Sequence, residues 1–427
     1  MSTRALTVTE ALDADGIQVE PGPHAPTALP SDETEVARIL KRASADRWRL
    51  LPSGLGGKLA RCRPEVLSGQ FDCVLSTRRL DKVVAYVPGD GTLTAQAGCR
   101  MDELAQHVSE HGHYLTPSVP HPDQATLGGT LGAGISGPER IRFGPARHHV
   151  LGMRVALADG TLATSGGRLV KNVTGFDLQR LYYGSRGTLC VILEASLRLF
   201  PMPEAEQTWQ LESHSVDDLL DACTKLAALP LRPLAVILTR DALGEVWSLD
   251  IHIAGRPRQL AAERELGLGS LGQAQLTVIE GPQARLCRER NQREAYAIDR
   301  PPSLRITCLP SRLGHALATL DRELDLPFQL RAEPHVASID VCLEPQTATG
   351  SAADLVEPVG RLARALREHG AQLEAQAVPR DVHESLAPRR EQAAQLDWMF
   401  RLGDSFDPAG VFASPLFPGL RDPGRPA

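Results

Sequence analysis

Aromatic side chains are scarce in this chain of 427 residues: 9 Phe, 5 Tyr and 4 Trp make up 4% of it. A platform on which nucleic-acid bases stack therefore has little support. A basic surplus is also missing, since 46 Lys and Arg stand against 52 Asp and Glu for a net charge of −6. That balance argues against a groove that tracks a phosphate backbone, and no nucleic-acid partner is expected. The eight cysteines are scattered singly between Cys62 and Cys342 with no C-x-x-C pair, so zinc, iron–sulfur and dithiol sites find no ligand spacing. No metal is expected, and the thiols read as reduced. No run of about 18 apolar residues exists, which leaves no candidate transmembrane segment. Residues 1–20 carry Glu10, Asp13, Asp15 and Glu20 and no apolar core of a secretory signal. The expected location is cytoplasmic, with any contact to the inner face of the plasma membrane peripheral and made through partners.

What is present describes an ordinary globular protein, with 42% hydrophobic and 23% charged residues. Its length exceeds one hydrophobic core, so two or three units are expected. The 37 glycines are uneven: 21 lie between Gly54 and Gly187. That is roughly three times their density elsewhere, as loops that approach a ligand closely require.

The pattern of the first half reads as mixed helix and strand. Val36, Ile39, Leu40 and Ala43 mark a helix that Ser31 or Asp32 is placed to cap. A strand at 48–51 runs into Pro52-Ser53-Gly54-Leu55-Gly56-Gly57-Lys58. Hairpins are expected at 83–97 and 150–164, and Met101, Leu104, Ala105 and Val108 form one helical face between them. A second glycine cluster spans 125–134. A strand at 191–199 alternates Val191, Leu193, Ala195 and Leu197 with Ile192, Glu194, Ser196 and Arg198, and Pro201-Met202-Pro203 closes the segment. Beyond it, strand-like stretches (235–239, 246–253, 303–308, 338–343) alternate with helix-like ones (216–226, 256–266, 313–323, 352–368), an α+β second domain.

Successive backbone amides with little side-chain bulk can wrap a diphosphate, and Gly54, Gly56, Gly57 and Lys58 suit that task. The loop is not a Walker A motif, because Leu59 stands where Ser or Thr would hold magnesium and Pro52 where the first Gly belongs. Gly132-Ala133-Gly134-Ile135-Ser136-Gly137 matches G-x-G-x-x-G. Gly128 and Gly129 before it, and Pro138, Gly144 and Pro145 after it, do not fit the strand–turn–helix context of a Rossmann fingerprint. Two glycine loops about 70 residues apart read instead as two walls of one elongated cofactor site.

These residues resemble the FAD-binding oxidoreductases of the vanillyl-alcohol oxidase/p-cresol methylhydroxylase (PCMH) type, and among them the FAD-binding subunits of bacterial glycolate oxidase. The resemblance covers about residues 30–204. It is carried by the loop 52–58, Pro120-His121-Pro122-Asp123 with 125–129, Ser136-Gly137-Pro138, the segments 147–152 and 170–177, and Gly184-Ser185-Arg186-Gly187-Thr188-Leu189. The tail Phe406-Asp407-Pro408-Ala409-Gly410 is also similar to the family's C-terminal motif. The resemblance implies an α+β chain: a strap at 1–30, a two-subdomain FAD-binding PCMH-type domain at 31–203, an α+β cap or substrate-type domain at 204–400, and a segment at 401–427 that returns to the FAD domain. It implies non-covalent FAD, held by Ser53, Gly54, Leu55, Gly56, Gly57 and Lys58 on one side. Thr126, Gly128 and Gly129 lie along the other, Ser136 and Gly137 line the ribityl or adenosine end, and Ile192 sits on a strand that meets the cofactor. Leu55, Gly57, His148 and Cys190 depart from the family's usual Gly, Ser, Asp and Gly. His148 reads either as a flavin-side hydrogen-bond partner or as a solvated loop residue.

Relatives that oxidise 2-hydroxy acids unaided carry an H-x-H-x-G-D segment in the substrate domain, and this chain has none. His335, His369 and His383 stand alone, and His111 and His113 flank Gly112 without a third ligand. The catalytic residues are therefore unknown at this stage. Arg293, Arg300, Arg305, Arg312 and Arg331 each have the two parallel N–H donors that bind a carboxylate. The resemblance implies an FAD subunit that takes part in oxidation of glycolate to glyoxylate, beside a homologous FAD-binding catalytic subunit and an iron–sulfur subunit. Two alternatives are a self-sufficient dehydrogenase of a small 2-hydroxy acid such as D-lactate, and an assembly subunit that has lost FAD.

Overall fold

The computed structural model describes residues 7–57, 71–168, 175–240, 244, 246–271, 276–294, 303–343, 352–375, 378, 380–386 and 393–413. Lys58, residues 170–174 and Arg300 lie outside them, as do the side chains of Arg293 and His383. The chain divides into two compact units, the first made of residues 1–136, 146–201 and 388–427, the second of 137–145 and 202–387.

In the first unit, α1 (Val8–Ala14) opens with a capping box between Thr7 and Glu10. Helix α2 (Glu33–Asp46) begins at Asp32, whose carboxylate accepts the Glu35 N–H at 2.9 Å. Its buried residues are Val36, Ile39, Leu40 and Ala43, the stripe that the helical repeat demands. Strands β1 (Val19–Glu20), β2 (Thr27–Ala28), β3 (Leu50–Ser53) and β4 (Cys73–Ser76) form a sheet in the order β1-β2-β4-β3, with β2 and β3 parallel to β4. A second, antiparallel sheet contains β5 (Val83–Val87), β6 (Thr92–Gln96), β8 (Val150–Ala156), β9 (Leu162–Gly166) and β10 (Val191–Arg198) in the order β5-β6-β10-β8-β9. A short pair joins β7 (His113–Tyr114) to β11 (Phe200–Pro201). The helices α3 (Met101–Ser109), α4 (Leu127–Ala133), α6 (Leu178–Tyr182) and α13 (Ala393–Phe406) complete this unit. On α3 the buried positions are Met101, Leu104 and Val108, while Ala105 is exposed.

Simple alternation was expected along β10, but the strand carries a register shift between Ile192 and Glu194 against β8. Val191 and Leu193 enter the core that holds α2, whereas Ile192, Ala195 and Leu197 enter the core that holds α3 and α4. The bulge exchanges the two faces, so one central strand serves both cores.

The glycine cluster at 125–134 is mostly helix, not loop. Thr126 caps α4 by accepting the Gly129 N–H at 3.1 Å. Gly128 is needed there because a Cβ would lie 2.6 Å from that of Ala97. Close packing outweighs the helix cost of glycine at this point.

The tail closes on the first sheet. Asp407, fully buried, accepts the N–H groups of Val411 and Phe412 at 2.9 and 2.8 Å. This shapes the turn that lets Val411 accept from Leu50 at 2.6 Å and Ala413 donate back to it at 2.8 Å.

The second unit is built on a sheet ordered β15-β12-β14-β13-β17-β18-β16-β19, all neighbours antiparallel. Its strands are β12 (Ala205–Ser213), β13 (Pro233–Arg240), β14 (Trp247–Gly255), β15 (Thr277–Glu280), β16 (Ser303–Thr307), β17 (Phe328–Glu333), β18 (Ser338–Leu343) and β19 (Gln372–Ala375). One face is apolar: Trp209, Leu238, Leu249, Ile251, Leu330 and Val341 share a core with α7 (Val216–Ala227), α8 (Pro257–Leu271), α10 (Leu313–Glu323) and α11 (Ala352–Glu368). The short α12 (Arg380–Ser385) packs on α11. Alternate residues on the same strands, Thr208, Asp250, His252 and Arg331, make the other face polar. Helix α9 (Pro282–Glu294) packs on β12, and α5 (Arg140–Phe143) on β13.

Replacing Asp407 by Ala strands two buried N–H donors. Asp407→Ala is expected to lower stability by about 3 kcal/mol, measured by urea unfolding.

Candidate functional site

In the first unit, β3 ends at Ser53, whose carbonyl accepts the Thr77 N–H at 2.9 Å, while the Ser76 hydroxyl donates to the Gly54 carbonyl at 2.8 Å. The loop is thus tied down through its carbonyls. The amides of Gly54, Leu55, Gly56 and Gly57 have no acceptor among the described residues. Gly56 is held at a φ of +82°, in the left-handed region that glycine tolerates. Four successive open donors, three of them on glycines and the fourth on Leu55, whose side chain is exposed, suit a diphosphate.

The second wall lies directly against this loop. A Cβ on Gly54 would stand 2.1 Å from the Thr126 hydroxyl, and one on Gly57 2.9 Å from the Gln124 carbonyl. Thr126 is buried and its hydroxyl caps α4. Gly128 spends its amide on the Ala97 carbonyl at 2.8 Å, and Gly129 spends its own on Thr126. A third segment joins them: Gly184 and Arg186 donate to the carbonyls of Leu131 and Gly132, and Gly187 packs against Pro52. Ser136 shares a hydrogen bond of 3.0 Å with the Tyr183 hydroxyl and accepts from the Ala146 amide. Gly137, at a φ of +68°, opens the segment 137–145 assigned to the second unit. Ile192 lies on the central strand β10, nearly buried, with its Cδ1 near Gly132. His148 is exposed and Leu55 is 44% exposed.

Thiol chemistry has no support here. No disulfide joins any described cysteine. Burial pushes the Cys73 thiol up to about 11 and Cys223 up to about 12, and raises Cys190 as well. All three stay protonated and weakly nucleophilic at neutral pH.

The polar face of the second unit leaves no periodic signal in the sequence of the helix that covers it. Helix α9 turns Ala284, Arg288 and Asn291 inward while Leu286 is 62% exposed, the reverse of the usual arrangement. Arg288 Nε donates to Glu206 at 2.9 Å, and its Nη1 lies 3.9 Å from Glu139. Asn291 donates to Asp250 at 2.6 Å and contacts His252 Nε2 at 3.1 Å, while Thr208 contacts His252 Nδ1 at 2.8 Å and reaches the Ala284 carbonyl at 3.3 Å. One proton arrangement satisfies every member: neutral His252 donates from Nδ1 to Thr208 and accepts at Nε2 from Asn291. Burial, then the charges of Arg288, Arg331 and Arg290, push the His252 pKa down to about 3. Both its nitrogens are committed, so it holds the face together and is not poised to take a proton.

Of the arginines considered as carboxylate binders, Arg305 is paired with Asp340 at 2.7 Å and Arg312 lies on an exposed turn. Arg331 is buried on β17. Its Nη1 donates to Glu333 at 3.0 Å, while its Nε and Nη2 have no partner among the described residues. His335, in the turn after β17, has a buried Nδ1 without a partner, and burial lowers its pKa.

Residues 25–166 match the family described as FAD binding domain. The chain is 29% identical over 204 residues to glycolate oxidase subunit GlcD of Bacillus subtilis (strain 168), spanning 48% of this chain and 43% of that protein. It is 31% identical over 228 residues to glycolate oxidase subunit GlcE of Escherichia coli (strain K12), 53% of this chain and 62% of the relative. D-2-hydroxyglutarate dehydrogenase of Xanthomonas citri pv. viticola is 32% identical over 198 residues, 45% and 40% of the two chains. The chain therefore spans less than two thirds of the length of these relatives. Among solved structures, alkyldihydroxyacetonephosphate synthase superposes with a TM-score of 0.68 at 14% identity, covering 90% of this chain and 76% of that one. The chain has the FAD-binding PCMH-type fold, α+β in class, and its cofactor is FAD. No helix among the described residues is long and apolar enough to cross a membrane.

A methyl group at position 54 cannot coexist with the Thr126 hydroxyl. Gly54→Ala is expected to weaken FAD binding by about tenfold or more, roughly 1.4 kcal/mol, read from flavin retained after dialysis. Gly54→Ala with Thr126→Ala should recover part of the loss. For His252, the unfolded chain takes up a proton near pH 6.5 and the folded chain does not. Its contribution to stability is present above that pH and falls by about 1.4 kcal/mol per unit as the pH drops toward 3. His252→Gln should flatten that part of the slope in urea unfolding between pH 6.5 and 4.

Proposed function

We propose that this chain is an FAD-dependent oxidoreductase for the CH–OH group of small 2-hydroxy acids. Within that class we assign it as the FAD-binding subunit of a glycolate oxidase complex, beside a homologous FAD-binding catalytic subunit and an iron–sulfur subunit. The observation that carries the cofactor role is the run of four open amides at 54–57, pressed against Thr126. Similarity to two glycolate oxidase subunits supports the substrate class. The lack of an H-x-H-x-G-D segment supports a division of labour in which another subunit takes the hydroxyl proton.

FAD, when bound, accepts the hydride that leaves the CH–OH carbon, so that a 2-hydroxy acid becomes a 2-oxo acid. The residues of this chain hold and shield it. The amides of Gly54, Leu55, Gly56 and Gly57 would bind the diphosphate, and Thr126, Gly128 and Gly129 would form the wall that fixes their position. Ser136, tied to Tyr183, would line the far end, and Ile192 would close the floor beside Gly132.

A second reading, a self-sufficient 2-hydroxy acid dehydrogenase, is favoured by His335. Burial lowers its pKa, and its Nδ1 has no partner among the described residues, as a proton acceptor beside substrate would require. The FAD-loaded chain, given glycolate, D-lactate or D-2-hydroxyglutarate without oxygen, distinguishes the two. Its flavin bands should persist until the partner subunits are added, and then bleach. Bleaching by the chain alone at a catalytic rate would replace the subunit reading with the second one. A protein that takes up no FAD would overturn both.

A further inference from the structure

The polar face of the second unit contains one fully satisfied network, around His252, and one row that is not satisfied. Strand register sets Ser248 opposite Thr239, and Thr239 opposite Arg331. Their side chains share the polar face, because Leu238, Leu249, Leu330 and Ala332 on the same strands enter the apolar core. In this row the Ser248 hydroxyl and the Nε and Nη2 of Arg331 are buried without a partner among the described residues. Arg331 is only 7% exposed, and Glu333 occupies its Nη1.

The identity of the open atoms is informative. Nε and Nη2 are the two parallel donors on one edge of a guanidinium, the edge that takes both oxygens of a carboxylate at once. Leaving such donors buried and unmatched is costly. Adjacent strands are about 4.8 Å apart, which puts the Cα atoms of Ser248 and Arg331 about 10 Å apart. One arginine side chain and one small anion can fill that gap. The Arg331 charge also reaches toward β14, since it is among those that depress His252.

We propose that Arg331 and Ser248 form a carboxylate-binding subsite, with the Arg331 edge gripping both oxygens and the Ser248 hydroxyl donating to one of them. The subsite rests on the reading that the substrate is a 2-hydroxy acid, and it assigns the group that holds that acid's carboxylate. Thr239, between the two, forms its floor.

The test is calorimetric titration of the FAD-loaded protein with oxalate, a dicarboxylate with no hydroxyl to oxidise. Oxalate should bind the unaltered protein, and Arg331→Met should weaken binding by about tenfold or more. Arg331→Lys keeps the charge but loses the paired donors, so it should lose nearly as much. Ser248→Ala should cost a few-fold. Flavin content and thermal melting of each variant verify folding, and Arg331→Lys carries the test if Arg331→Met does not fold. Oxalate binding that depends on Arg331, in a protein that oxidises no 2-hydroxy acid, would uphold the subsite while refuting the proposed activity. The subsite is overturned if no carboxylate binds, so that water fills the row, if phosphate binds in place of oxalate, or if Arg331→Met binds oxalate as tightly as the unaltered protein.

Discussion

The first unit depends on one close approach of backbone to side chain, that of Gly54 to the Thr126 hydroxyl. Thr126 is also the cap of α4, and it bridges to Arg100 at the start of α3. The buried hydroxyl caps one helix beside the glycine loop, and the backbone of the same residue ties it to the start of another. The absent Cβ at position 54 is what allows this. The carbonyls of Ser53 and Gly54 are tied to Thr77 and Ser76, while the amides of residues 54–57 have no acceptor among the described residues. A loop held in this way would meet a diphosphate with little reordering.

The second unit solves a different problem. Its sheet has one ordinary apolar face and one face where charged and polar groups are buried. Buried ion pairs such as Arg288 with Glu206 and Glu139 contribute little net stability once desolvation is included. Buried polar networks are tolerable when every member is satisfied, which is the case around His252. The apolar face supplies the stability that lets the polar face be organised for another purpose.

Much of the fold was legible in sequence where burial follows a simple period. The stripe of α2, both hairpins of the first unit and the strand at 303–308 came from apolar repeats and turn residues. The helix α4 was not legible, because its glycines argue for a loop unless the proximity of Ala97 is known. The face exchange in β10 was hidden for the same reason: a bulge depends on the pairing partner, and both readings of the strand look equally apolar. In the second unit, α9 has no apolar stripe to find, since its inward residues are Arg288 and Asn291. Strands β12 and β17 do alternate, Gln207 with Thr208 and Trp209, or Leu330 with Arg331 and Ala332. Their polar partners masked a signal that weighting by face would have recovered. Arg331 stood among five arginines of equal merit, and only its side-chain contacts in the folded chain revealed its open edge.

The short segment 137–145 leaves the first unit, gives α5 to the second and returns. Arg142 there donates to the carbonyls of Arg232 and Ala254 at 3.1 and 2.5 Å, and Ile141 packs against the apolar core of the second unit. Neither unit is therefore an uninterrupted stretch of chain. A recombination event with one breakpoint near residue 202 would bring in a foreign sheet without the nine residues that dock on it. Exchange of the whole second unit thus requires two cuts made together.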